Sequence, residues 1–274
     1  MLRLLQYALL LVTLVLLLFP IYYMFATSVM TLDEFLRVPP RIVPGSINFD
    51  NYPFMIRRWD YVPGLINTIM IAGLSALGAT LLGGMAAYSF SRATFAGKAL
   101  MYSLLVASIA VPAMVTLGPI FITYFDIGLL DTRHGIILVY LAGGLPLAVL
   151  VLFTYYNSVP RELDDAAAID GCGWFGTLFR VILPIALPGA FVTFLLLLIA
   201  GWNEFLFAFV LTVGPEIRVL TLRLLEVPSG TNIMQVPYDL YAVGGVLVLL
   251  PLVPLLFRVQ KQLVTGITFG AVKE

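Results

Sequence analysis

Charge is what this sequence has least of. Charged residues make up 11% of its 274 residues, against about a quarter in an ordinary soluble domain. So few charges cannot cover a water-facing surface around a chain that is 61% hydrophobic. With a mean hydropathy of +1.03, the solvent that tolerates this balance is a bilayer. Neither sign is in excess: Lys+Arg and Asp+Glu both number 15, and a neutral chain argues against nucleic acid as a partner. There is one cysteine, Cys172, so an intrachain disulfide and a thiolate metal cluster are both excluded. A single histidine, His134, removes most zinc-hydrolase and His–Ser–Asp chemistry. Neither a catalytic residue nor a metal site is expected. Gly97-Lys98 is followed by Ala99 and lacks the preceding glycine of a phosphate loop. With no other nucleotide-binding motif, the chain is not expected to hydrolyse ATP. The alternating polarity of outer-membrane strands is missing too.

What is present is apolar length. Runs long enough to cross the hydrocarbon core, which takes about 20 residues as a helix, cover roughly 7–30, 64–90, 99–125, 134–156, 185–213 and 238–257. The first far exceeds the apolar core of a cleaved signal, about 7–15 residues, and reads as a retained span. Backbone groups in lipid must pair within their own segment, so the expected fold is an all-α membrane protein of six spanning helices. The whole chain, 1–274, reads as one transmembrane domain. The longest connection at one face, about 31–63, holds Pro39-Pro40, Pro44-Gly45, Pro53 and Pro63 and predicts turns with a short helix. Ala72, Gly73, Ala76, Gly78, Ala79, Gly83, Gly84, Ala86 and Ala87 give the second span a small-residue surface suited to close helix packing. With the N-terminus inside, eight Lys/Arg fall inside and seven outside, so charge bias leaves the orientation open.

The segment 157–184 is different: polar, acidic and punctuated by glycine. Ser158 is a candidate cap, Pro160 suits a first helical turn, and Glu162, Asp164 and Asp165 favour the positive end of a helix dipole. That helix is predicted to run to about Asp170 and stop at Gly171, where a left-handed residue is needed and a side chain would clash. Leu163, Ala166, Ala167 and Asp170 are expected to share its face. A second helix starts near Trp174, with Trp174, Leu178 and Ile182 on one side, and ends at Pro184. Four acids against Arg161 disfavour a helix lying on an anionic leaflet and favour a knob inserted into a groove of another protein.

The run from Glu162 to Gly171, followed by Leu183-Pro184, resembles the EAA loop of binding-protein-dependent ABC importer permeases. Asp165-Ala166-Ala167, then Ala168-Ile169-Asp170, then Gly171 occupy the family's Glu-Ala-Ala, three residues and glycine. Asp165 departs from the usual glutamate by one methylene, and Cys172 stands where a small alanine is usual. Asn67-Thr68, Ala86-Ala87-Tyr88, Arg92…Phe95…Gly97, Trp202-Asn203-Glu204-Phe205 and the terminal 266–273 are similar to the MalG-like, carbohydrate-uptake branch. The resemblance implies a type I importer permease fold (MetI-like) with both termini cytoplasmic. It also implies a prokaryotic inner membrane and transport of a sugar or oligosaccharide by alternating access. The implied partners are a second, MalF-like permease, an ATPase dimer that binds ATP and Mg, and an extracytoplasmic solute-binding protein. Lipid surrounds the spans. Glu162, Asp165, Ala166, Ala167, Asp170 and Gly171 are the implied ATPase-coupling residues. Trp202, Asn203 and Glu204 are candidates for the translocation path; an acid inside an apolar helix suits that role, and so does a buried hydrogen bond. An ion-coupled transporter or channel is the alternative, but it would normally show several intramembrane carboxylates.

Overall fold

The computed structural model describes residues 2–226, 237–255 and 257. The tail from Arg258 and the similarity at 266–273 lie outside them. Among the described residues all regular structure is helical. In chain order the α-helices are α1 (Leu2–Ser28), α2 (Leu32–Phe35), α3 (Asn51–Arg58), α4 (Tyr61–Arg92), α5 (Lys98–Ala107), α6 (Ala113–Asp126), α7 (Arg133–Ser158), α8 (Glu162–Ile169), α9 (Trp174–Thr177), α10 (Leu183–Ile185), α11 (Leu187–Asn203), α12 (Leu206–Leu211), α13 (Leu220–Arg223) and α14 (Tyr238–Leu249).

Four helices are long and apolar enough to span on their own: α1, α4, α7 and the stretch from α14 on to Leu255. The third and fifth apolar runs are not the continuous helices that hydropathy predicts. In the third, α5 and its 3-10 extension meet α6 at a 99° bend. The bend falls at Val111–Pro112, where proline cannot supply an amide donor and pushes its predecessor into extended backbone. The fifth, 185–213, breaks between α11 and α12 at Glu204–Phe205, and at its start the 174–185 helical stretch, expected to end at Pro184, meets α11 at 83°, next to Pro188. Counting each bent pair once gives up to six spans.

Contacts divide the described residues into two compact units, 2–64 with 220–226 and 237–255, and 65–219 with 257. In the first, α1 lies along α14, where Gly245 admits the Met24 side chain. None of the most apolar stretch of α1 is buried. Tyr61 Oη donates to Leu247 O at 3.0 Å, and Asn51 Nδ2 donates to Asp239 Oδ2 at 2.9 Å. Two short helices, α2 and α3, occupy the first connection rather than one. There Glu34 accepts from Arg41 Nη1 at 2.9 Å and from the Gly45 amide. Burial alone would raise its carboxyl, but these hydrogen bonds and the Arg41 charge outweigh it and hold Glu34 below the ordinary glutamate range.

In the second unit α4, α7 and α11 pack through small residues. Ala76, Ala79, Ala148 and Leu197 form one buried cluster, and Gly201 closes against Ala72. The opposite side of α4 exposes Leu74, Leu77, Leu81 and Leu82, a helical-period stripe with lipid chemistry. Asn67 explains the polar start of this span. Its amide donates to Glu216 O at 2.8 Å and Arg218 O at 3.2 Å, while Arg133 Nε donates to its oxygen at 3.1 Å. At the same end Asp131, left-handed at φ 56°, accepts from the Val213 and Gly214 amides, both at 2.9 Å.

Candidate functional site: the knob between α7 and α11

Residues 159–186 fold as the predicted short helix, glycine turn and second helix. The cap at Ser158 does not form: its hydroxyl donates back to Tyr155 O at 2.7 Å within the last turn of α7. Instead α8 starts at Glu162, after Pro160 and Arg161, with Glu162, Asp164 and Asp165 in its first turn, where the helix dipole favours acids. It ends in a Schellman motif. Cys172 N donates to Ala167 O at 2.9 Å and Gly171 N to Ala168 O at 3.1 Å, with Gly171 at φ +81°. Among the described residues beyond its chain neighbours, nothing lies within 4 Å of where a Cβ at 171 would be, so any clash there is the local one of the left-handed backbone. Glycine is favoured there by backbone conformation alone.

The expected common face also divides. Ala167 is buried and Leu163 half-buried against the core, whereas Ala166 and Asp170 are exposed together with Glu162 and Asp165. Ile169 is 87% exposed and Phe175 60%, so an apolar pair flanks the acids on the outer surface of the knob. Cys172, expected as a buried small residue, is half-buried. Of the three residues expected on one side of the second helix, Leu178 and Ile182 are buried, packing with Tyr156, Leu152 and Ala87. Trp174 is partly exposed and lies on the Tyr88 ring, with centroids 4.6 Å apart. Between α9 and α10 the chain runs as a five-residue π-helix, Leu178–Ile182.

One acid that sequence reasoning left out is the most firmly held. Asp164 Oδ1 accepts from Tyr88 Oη at 2.7 Å, and Asp164 Oδ2 pairs with Arg92 Nε at 2.9 Å. Arg92 Nη2 also donates to Val159 O at 2.8 Å, Arg161 Nη2 to Ser91 O at 3.3 Å, and Ser91 Oγ to Asn157 Oδ1 at 2.8 Å. The ends of α4 and α7 and the start of α8 therefore form one polar joint. The available signal was periodicity: Asp164 sits three residues before buried Ala167.

The three candidates at the end of α11 go separate ways. Trp202 is buried, and Asn203 is exposed with its amide donating to Ile199 O at 2.8 Å. Glu204 breaks the helix in extended backbone (ψ 127°). Its carboxylate accepts from Phe207 N at 3.0 Å and Ala208 N at 3.3 Å, capping α12. It also borders a cavity of about 200 Å³ with Ser75, Tyr140 and Phe207. Removing the cap is expected to cost about 1–2 kcal/mol. Glu204→Ala should lower the thermal midpoint in detergent, and Glu204→Gln, which keeps an acceptor, should lower it less. Equal midpoints for Ala and wild type would exclude a capping role.

The binding-protein-dependent transport system inner membrane component family matches residues 79–268, a span that includes the joint and the knob. The trehalose transport system permease protein SugB of Mycobacterium tuberculosis (strain CDC 1551 / Oshkosh) is 31% identical over 85% of this chain and 85% of its own length. The trehalose/maltose transport system permease protein MalG of Thermococcus litoralis is 31% identical over 93% of this chain and 91% of its own. A chain in the crystal structure of a bacterial ABC transporter that imports the acidic polysaccharide alginate superposes with a TM-score of 0.79 at 23% identity, covering 94% of this chain and 95% of that one. With most of its length matched, this chain belongs to the binding-protein-dependent transport system inner membrane component family, the permeases of ABC transporters.

Proposed function

We propose that this chain is one of two homologous permease subunits of an ATP-driven importer for a sugar, an oligosaccharide or a related polar solute. The observation that carries this is the family match running through a helix–glycine-turn knob whose outer surface has no partner among the described residues: Glu162, Asp165, Ala166, Ile169 and Asp170 are all exposed. A partner ATPase dimer would receive that surface, bind ATP and Mg, and shift the permease between inward-open and outward-open states. In this reading there are six spans, both termini and the knob (157–184) are cytoplasmic, and the 31–63 connection is periplasmic. The chain itself catalyses nothing. A solute-binding protein would deliver the solute; one related alginate transporter was crystallised with its periplasmic protein. A second permease would complete the path, with Trp202, Asn203 and Glu204 as candidate lining. Sugar as the solute class rests on the names of the relatives, trehalose and maltose systems among them.

The test is uptake by the assembled transporter in proteoliposomes, using radiolabelled trehalose and maltodextrin as probes. Uptake should require ATP inside and the binding protein outside, and should survive collapse of ion gradients. Uptake that persists without ATP and stops with an ionophore would instead establish the ion-coupled alternative.

A further inference from the structure

We propose that Asp164, clamped by Arg92 and Tyr88, is the positioning residue through which movement of the knob is passed directly to the end of α4. This deepens the coupling role proposed above and rests on it. Two routes lead from α8 into the spanning helices. The covalent route runs through the Gly171 turn, the four-residue α9, the π-helical segment, the three-residue α10 and then an 83° bend into α11. Each junction is a place where displacement can be absorbed by backbone torsions, and the π segment, closed by i→i+5 rather than i→i+4 bonds, is a local break in the α-helical register. A push on α8 therefore reaches α11 attenuated.

The second route has no such break. Asp164 is held by two residues one turn apart on one helix. Tyr88 Oη donates a hydrogen bond to Oδ1 at 2.7 Å, and Arg92 Nε forms an ion pair with Oδ2 at 2.9 Å, by charge rather than by an aligned hydrogen bond. The side chains of Arg92 and Asp164 are 7% and 20% exposed, so their attraction is little screened by water. Trp174, packed on Tyr88 with the ring planes tilted by 48°, brings the start of α9 into the same assembly. The Arg92–Val159 and Ser91–Asn157 hydrogen bonds fix the end of α7 beside it. Hence α8 and the final turn of α4 should move as one rigid body, with Tyr88 76 residues away from Asp164 in sequence. The arrangement also separates two neighbouring acids by task. Asp164 has both oxygens occupied within the chain and works inward; Asp165 is exposed and is left to meet the ATPase.

The experiment uses the complete transporter, with both permeases, the ATPase dimer and the binding protein. Spin labels are placed on Cys172, the single native cysteine, paired with Leu82→Cys on exposed α4 or with Leu196→Cys on α11, and distances are compared with and without ATP. The Cys172–82 distance should be unchanged by ATP while the Cys172–196 distance shifts. Asp164→Asn should make the Cys172–82 distance ATP-dependent and lower solute moved per ATP by about tenfold, within the usual range of coupling energies. The ATPase should still co-purify. The reversal Asp164→Arg with Arg92→Asp should restore most of the coupling, which a carboxylate acting directly on the ATPase would not allow. If the wild-type Cys172–82 distance shifts as much as Cys172–196, or Asp164→Asn keeps the wild-type ratio, the clamp is overturned and the knob's coupling role stands. If neither distance responds to ATP in the wild type, the coupling role itself fails.

Discussion

Replacing Gly171 with valine should leave the permease in the membrane and reduce ATP-driven uptake about 5- to 30-fold, while Gly171→Asn should retain most of it. The two variants separate conformation from bulk. At φ +81° a branched side chain pays the left-handed penalty in full, about 1–2 kcal/mol, whereas asparagine enters that region readily. Space is the same for both, since among the described residues beyond its chain neighbours nothing lies within 4 Å of the missing Cβ. Valine at 171 therefore pulls the C-terminus of α8 out of its Schellman closure, frees the Ala167 and Ala168 carbonyls, and changes the angle at which α9 leaves. A penalty of that size is roughly a factor of 5–30 in the population of the correct turn, and the Asp164 clamp lies at the other end of α8 and does not hold the turn itself. Uptake is the measurement, with co-purification of the ATPase as the control for assembly. If asparagine and valine abolish uptake equally, the open space at 171 is filled by the partner and steric exclusion governs. Normal uptake by the valine variant would remove the knob from the coupling path.

How much of this was legible in the sequence depends on whether the determining contacts are local. The α8 helix, its acidic first turn and its glycine stop were legible because they depend on residues within one stretch of ten. The spans were located by apolar length, which reports how much lipid-compatible chain exists but not its direction. For that reason the 99° bend at Val111–Pro112 falls inside a single apolar run, whereas the junction before Pro188 lies at the start of its run, beside the helix end expected at Pro184. Glu204 was visible as an acid in an apolar run. Its use as a cap was not, because that depends on the helix ending at Asn203 and restarting at Leu206. Asp164 and Asp165 are chemically equivalent in sequence. Only Arg92 and Tyr88, reached across a long separation, decide that one faces inward and the other outward. The small-residue surface of α4 was correctly a packing feature, yet composition could not rank its members. Gly83 lies against Ala148, while Gly73 has nothing within 4 Å.

That contrast sets up the second large effect. A Cβ at Gly83 would lie 2.5 Å from Ala148 Cβ and 3.4 Å from the backbone of Ala148 and Val149. None of these atoms belongs to a flexible side chain, so α4 and α7 themselves would have to separate. Overpacking of a buried contact costs about 1–3 kcal/mol in soluble cores. Here it also forfeits the neighbouring contacts of Ala76, Ala79 and Leu197, and close packing is a principal force joining helices in lipid. Gly83→Leu should therefore give little folded protein by fluorescence-detected gel filtration, and Gly83→Ala should lower the thermal midpoint by several degrees, at about 2–4 °C per kcal/mol for a chain of this size. Gly73→Ala and Gly73→Leu serve as controls, since they carry the same change of helix propensity without the contact. Exchanging the pair, Gly83→Ala with Ala148→Gly, moves the methyl group from one helix to the other and should recover most of the loss. Recovery is the decisive result: an intrinsic preference for glycine in α4 predicts that the exchanged protein is no more stable than Gly83→Ala alone, whereas a close approach of two helices predicts that it does not matter which of them carries the methyl.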